Sequence, residues 1–331
     1  MTFTEITNIL DEARANYVLL LCHHNADPDA ISSAYAFQRL LAKCKPNMTA
    51  EIGTPQGLSR LSKHVLKQVP IVVDFQPNVE KADAIVLLDT NTTQQLGQLA
   101  ERVTKTAAPI IVIDHHAAHP QTVQIARLCI TNEGASSTCE IVYGFFKELN
   151  IKPDLAVAKA LFLGITFDTR HFVLANSSTF KTISELGDIG VNPQESISTL
   201  ALPMDFSERV ARIKACRRAK LLKIENWIIA LSHVSAYQAS AARALVDLGA
   251  HMAAVVGQKN EKIEISLRST SEFNQITGIH LGKDIAKPLG EYLKGMGGGH
   301  ATAAGVNGIG EVNAGLKRCL RLVKEKLANH Q

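Results

Sequence analysis

The chain has no apolar run approaching the length of a membrane span, and Met1-Thr2-Phe3-Thr4-Glu5-Ile6 lacks the charged start and apolar core of a secretory leader. Those absences argue against a spanning helix and an export signal, and leave a cytoplasmic protein as the simplest expectation. Paired cysteines are missing too. Cys22, Cys44, Cys129, Cys139, Cys216 and Cys319 are scattered, with no Cys-x-x-Cys among them. This argues against a disulfide framework and a thiolate zinc site. Cys22 and Cys129 lie in strand-like apolar runs, where a free cysteine acts as a small hydrophobe. There is no internal repeat and no low-complexity tract. A large charge excess is also lacking: the formal net charge is +4, too small to mark a nucleic-acid binder. With aspartates held by cations, however, the remaining surface becomes more positive, which suits an anionic substrate.

What is present is a set of aspartates and histidines placed where buried strands should end. His23-His24-Asn25-Ala26-Asp27-Pro28-Asp29 follows the run from Val18 to Cys22. Asp89 closes Ile85-Val86-Leu87-Leu88, Asp114-His115-His116 closes Ile110-Ile111-Val112-Ile113, and Asp168 follows Gly164-Ile165-Thr166-Phe167. Like charges gathered in one cleft repel, and some would have to take up protons. Two divalent cations would offset four carboxylates and employ the histidine nitrogens, so a two-metal hydrolase is the leading expectation.

A length of 331 residues favours two domains. In the first half, short apolar strands alternate with helical patterns over 30–41, 58–66, 136–149 and 154–163. That alternation predicts an α/β fold with an open, mainly parallel sheet flanked by helices. Ligands of such sheets bind beyond the carboxyl ends of the strands, where every cluster falls. The pattern breaks between 186 and 215, at Gly187, Gly190, Asn192-Pro193 and Leu202-Pro203. A long helix is expected from Phe206, carrying Arg209, Arg212, Lys214, Arg217, Arg218, Lys220 and Lys223. Its plain reading is a solvated face, and its alternative is a basic strip tracking single-stranded nucleic acid. Strands at 227–231, 253–256 and 263–267 and helices at 239–248, 285–293 and from Val312 then indicate a smaller α/β domain. The expected division is a metal-binding catalytic domain at 1–188, a linker and connecting helix at 189–224, and a substrate-binding domain at 225–331.

Residues two apart in extended chain point the same way. Asp27 and Asp29 can therefore serve different metals of a pair while His23 reaches one of them. The bland alternative makes Asp29 a helix cap, which leaves the matching aspartates unexplained. Asp89 and Asp168 are weak signals singly, and a cap for a helix near 94–99 is the bland role for Asp89. Asp114-His115-His116 is more specific, because the aspartate can accept the second ring N–H of a ligating histidine and fix its tautomer. An oxygen-rich site with one imidazole per metal suits manganese, with magnesium or cobalt as substitutes.

Together, in order across residues 17–172, these motifs resemble the DHH phosphoesterase superfamily. It includes RecJ exonucleases, oligoribonucleases that also dephosphorylate 3′-phosphoadenosine 5′-phosphate (pAp), cyclic-dinucleotide phosphodiesterases and family II pyrophosphatases. The resemblance implies one metal held by His23, Asp27, Asp89 and Asp168, and another by Asp29, Asp89, His115 and Asp168. It also implies that Asp114 supports the ligands and that His116 faces the substrate phosphate or leaving group. The catalytic set is then Asp89, Asp114, His116 and Asp168. Ala26 and Ser32 depart from the family's usual proline and glycine. Arg170-His171-Phe172 replaces a glycine-arginine pair, and no arginine closely follows Asp89.

The string Gly297-Gly298-Gly299-His300-Ala301-Thr302-Ala303-Ala304-Gly305 is the most distinctive in the second half. Consecutive glycines let backbone approach an anion; the alternative is a turn between helix and strand. The string resembles the signature of the DHHA1 domain, which implies nucleotide binding by Gly297, Gly298, Gly299 and His300. Arg268 matches the family's strand-borne arginine, whose planar fork suits a terminal phosphate. The resemblance implies a bilobal enzyme with its active site in the cleft between lobes. It favours short oligonucleotides, linear dinucleotides or pAp as substrate, and sets family II pyrophosphatases aside for their different C-terminal domain. Longer single-stranded DNA or RNA, cyclic dinucleotides and a non-enzymatic nucleotide sensor are the alternatives, and a homodimer is left open.

Overall fold

The structure, a computed structural model, describes residues 2–201 and 204–328. The chain divides into two compact units, 1–202 and 203–331. In the first, strands β1 (Tyr17–Leu21), β2 (Thr49–Gly53), β3 (Ala84–Leu88), β4 (Ile110–Asp114) and β5 (Leu128–Thr131) form a fully parallel sheet in the order β2-β1-β3-β4-β5. Side chains of the three central strands alternate between two cores. Val18, Leu20, Val86, Leu88, Ile111 and Ile113 enter one, while Leu19, Leu21, Ile85, Leu87, Ile110 and Val112 enter the other. Burial on both faces is why these strands are continuously apolar.

The chain leaves β1 for β2 on one side and returns to β3 on the other. This reversal opens a crevice beyond the carboxyl ends of β1 and β3. Leu21 stands opposite Leu87, and Leu88 opposite Ile113. Residues just past those positions, His23, Asp89 and Asp114, therefore emerge side by side.

Asp168 stands elsewhere than expected. It is the last residue of the helix Leu155–Asp168, not the residue after a strand. Gly164-Ile165-Thr166-Phe167 looks strand-like because of its glycine and β-branched residues. In the helix, the Thr166 and Thr169 hydroxyls instead bond back to the carbonyls of Phe162 and Ile165, at 2.7 and 2.6 Å. Gly164 is kept bare by its neighbours: a Cβ there would lie 2.3 Å from Cys139 Sγ and 3.0 Å from Asp29 Oδ1.

The second unit holds a mixed sheet of β6 (Lys220–Ile224), β7 (Trp227–His233), β8 (Met252–Lys259), β9 (Lys262–Ser269), β10 (Met296–Gly299) and β11 (Ala303–Ile309). Their order is β10-β11-β9-β8-β7-β6, and only β7 and β8 run parallel. The α/β expectation, a parallel sheet followed by a smaller second α/β unit, is borne out. The expected linker segment is shared out: helix Pro193–Leu200 packs within the first unit, and helix Phe206–Arg218 within the second. The basic helix is shorter than expected. It stops at Arg218, Ala219 turns extended, and Lys220 and Lys223 belong to β6. Arg212 is further tied to Ser240 Oγ at 2.7 Å and Arg209 to the Met204 carbonyl at 3.1 Å. Among the described residues, no helix is long and apolar enough to cross a membrane.

Candidate metal centre

His23, Asp27, Asp29, Asp89, Asp114, His115, His116 and Asp168 come together in the first unit. Ligand atoms of His23, Asp27 and Asp89 lie within 4.8 Å of one another, and so do those of Asp29, His115 and Asp168. Asp89 stands between the groups. Its Oδ2 is 3.9 Å from His23 Nε2, and its Oδ1 is 3.6 Å from His115 Nε2 and 3.7 Å from His116 Nδ1. This residue sits in the left-handed region at φ 52°, which aspartate tolerates better than most.

Local structure explains each orientation. Asp27 caps the helix Pro28–Cys44, accepting the N–H groups of Asp29 and Ala30 at 3.0 and 3.1 Å. The cap is thus Asp27, not Asp29. Asp29 is buried and points across to the helix Thr138–Glu148. His23 Nδ1 lies 2.8 Å from the His24 carbonyl oxygen, which can only accept. The ring proton is therefore on Nδ1, and Nε2 faces Asp27 at 3.8 Å and Asp89. Asp114 serves a different histidine from the one expected. Its Oδ1 accepts both the ring Nδ1–H and the backbone N–H of His116, each at 2.8 Å, and it does not hold the ring of His115.

The electrostatics favour cations. Among the described residues, no lysine or arginine ion-pairs with Asp27, Asp29, Asp89, Asp114 or Asp168; their only ion-pair partners are histidines. Burial, followed by the charges of Asp27, Asp114 and Asp168, pushes Asp89 up to about 7. Burial and the other carboxylates push Asp29 well above the usual carboxylate range. His115 Nε2 is buried and lies 2.8 Å from Asp168 Oδ2, so the two could face one ion together with Asp29. The donor set of imidazoles and carboxylates fits a pair of divalent cations.

A family model described as the DHH family, N-terminal domain, matches residues 17–165. A probable manganese-dependent inorganic pyrophosphatase of Lactococcus lactis is 32% identical over 66% of this chain and 70% of its own length. The chain belongs to the DHH family. An uncharacterised protein of Methanocaldococcus jannaschii is 36% identical to this DHH chain, over 90% of it and 89% of the relative. A cyclic-di-AMP phosphodiesterase of Geobacillus thermodenitrificans is 26% identical over 88% of the chain, which spans 44% of that relative's length. The structure of an exopolyphosphatase-related protein from Bacteroides fragilis shares the fold, with TM-score 0.65 and 19% identity over 99% of this chain and 96% of that one.

The expected substrate residues lie in the second unit of this DHH protein. Arg268 is at the end of β9, opposite Ala303, and one guanidinium nitrogen donates to the Leu267 carbonyl at 2.8 Å. Burial and the like charge of Arg243 lower its pKa. Gly297, Gly298 and Gly299 form strand β10, not a turn. Packing explains two of them: a Cβ on Gly297 would meet the Ala286 carbonyl oxygen, and Gly299 has φ +139° with Ala303 and Ala304 against it. Gly298 has open space, and His300 follows in the bend to β11. Sequence reasoning missed Thr138, whose hydroxyl donates to Asp89 Oδ1 at 3.1 Å. The only local signal is the run Ser136-Ser137-Thr138, which marks a helix start and nothing more.

Proposed function

We propose that this DHH protein is a two-metal phosphodiesterase and phosphatase, most at home with manganese, that acts on short nucleotide substrates. Short oligonucleotides, linear dinucleotides and pAp are the favoured class. The single observation that carries the reading is the position of Asp89 between two His/Asp groups. His23, Asp27, Asp89 and Asp168 would hold one ion, and Asp29, Asp89, His115 and Asp168 the other. When bound, such a pair supplies a water nucleophile at neutral pH and offsets charge on the phosphoryl oxygens.

The chain's own residues provide the rest. His116 is half-exposed, and its hydrogen bond to Asp114 raises it to about 9. It therefore carries a proton at neutral pH, with Nδ1–H on Asp114 and Nε2–H free to pass to a leaving oxygen. Arg268 ion-pairs with no carboxylate among the described residues and has Arg243 as a like-charged neighbour, a pairing that favours a phosphate. His300 and Gly298, in the same unit, are open to the rest of a nucleotide.

The test is a manganese-supplemented hydrolysis panel of pAp, linear and cyclic dinucleotides, short RNA, long single-stranded DNA and pyrophosphate. Turnover of short linear substrates is expected. Asp89→Asn, which keeps a residue tolerant of φ 52°, is expected to lose at least about a hundredfold in activity. Undiminished turnover in that variant overturns the reading, and preference for pyrophosphate moves it from phosphoester to phosphoanhydride hydrolysis.

A further inference from the structure

We infer that the first turn of the helix Thr138–Glu148 orients the two buried metal-facing carboxylates, with Thr138 as the positioning residue. The inference rests on the two-metal reading above and deepens it.

A helix start leaves its first N–H groups without partners inside the helix. Here Ser137 caps one of them, accepting from the Glu140 N–H at 3.1 Å. The N–H groups of Thr138 and Cys139 go elsewhere. They donate to Oδ2 and Oδ1 of Asp29 at 2.7 and 3.0 Å, across 109 and 110 residues of chain. The Thr138 hydroxyl reaches a third element and donates to Asp89 Oδ1. Thr138, Cys139 and Asp29 are fully buried, so water does not compete for these bonds.

Each bond occupies one lone pair of a carboxylate oxygen and directs the remaining one. Asp29 is fixed by two amides of the helix start, one on each carboxylate oxygen. Asp89 is fixed at Oδ1, the oxygen facing His115 and His116, which leaves Oδ2 toward His23. Without the hydroxyl, the Asp89 carboxylate is free to turn, and its division between the two groups is lost. The helix start is itself held firmly. Glu140 Oε2 accepts from the Ser136 N–H and hydroxyl at 3.0 and 2.8 Å and from the Thr179 hydroxyl at 3.3 Å. The bare Cα of Gly164 lets it approach. A contact that served only to cap the helix would not need an aspartate from one distant element and a hydroxyl to another.

The test uses the full chain with Mn2+ as the probe, following binding by calorimetry and by the electron paramagnetic resonance of free Mn2+. Thr138→Val keeps the shape and removes the hydroxyl; Thr138→Ser keeps the hydroxyl. The valine variant is expected to stay folded and to bind Mn2+ about 10- to 100-fold more weakly, while the serine variant binds near the parent level. Parent-like binding by the valine variant overturns the inference. So does equal impairment of both variants, which marks a packing role. A parent protein that takes up no Mn2+ overturns the two-metal reading first and this inference with it. Should the valine variant not fold, Thr138→Ala takes its place.

Discussion

Oδ1 of Asp114 receives two hydrogen bonds from one residue, the ring Nδ1–H and the backbone N–H of His116, both at 2.8 Å. Asp114 is buried while His116 reaches the surface. The aspartate thus sets both the tautomer and the direction of a histidine without meeting substrate itself.

Removing that acceptor should harm the chemical step and spare metal binding. Asp114→Ala is expected to lower kcat by about 10²- to 10⁴-fold, the range of a lost general acid, with little change in KM or in Mn2+ affinity. Steady-state kinetics beside Mn2+ calorimetry check this. A kcat equal to that of the parent removes His116 from the proton-transfer role.

The metal-free protein should lose stability as pH rises. Asp89, at about 7, and Asp29 both stand above their ordinary value in the folded state, so the folded protein binds more protons than the unfolded chain from about pH 4 upward. Stability then declines through about pH 7. His116 extends the decline, because the benefit of its raised value is full below its ordinary value and is lost as pH passes about 9. Saturating Mn2+ should flatten the curve, since ions replace the protons. Melting temperatures across pH with and without Mn2+ give the comparison, and a metal-free curve that climbs between pH 5 and 7 contradicts it.

Arg170, His171 and Phe172 occupy the left-handed region in succession, at φ 50°, 57° and 70°. Phe172 anchors the turn against Phe162 and Phe180, while Arg170 and His171 are exposed. A left-handed L-residue costs about 1–2 kcal/mol, part of which glycine recovers. His171→Gly is therefore expected to raise stability by up to about 1 kcal/mol. Chemical denaturation measures this, and a loss of stability shows that the imidazole makes contacts outweighing the strain.

Much of the fold and most of the centre could be read from local pattern. Strands β1 and β3, and β4 up to Asp114, are apolar because both faces are covered, and His23, Asp89 and Asp114 stand at the ends of those runs. Edge strands β2 and β6 went unread, since their part-exposed residues leave no continuous apolar run. Asp168 was found as a residue but placed on the wrong element, because a helix packed against Asp29 and Cys139 carries a glycine that otherwise suggests a break. The glycines before His300 suggested a ligand loop, whereas two of them answer to backbone packing.

Residue types and their order along the chain were enough for the metal-binding chemistry, because an aspartate or histidine at the end of an apolar run is a local fact. Which group faces which is not local. The return of the chain to the far side of β1 brings His23 beside Asp89, and strand register brings Asp114 next to it. Folding also carries the start of a helix across 109 residues to Asp29. Such pairings depend on distances between segments that no neighbouring residue encodes, and so the partners of Asp29, Asp89 and Asp114 emerged only in three dimensions.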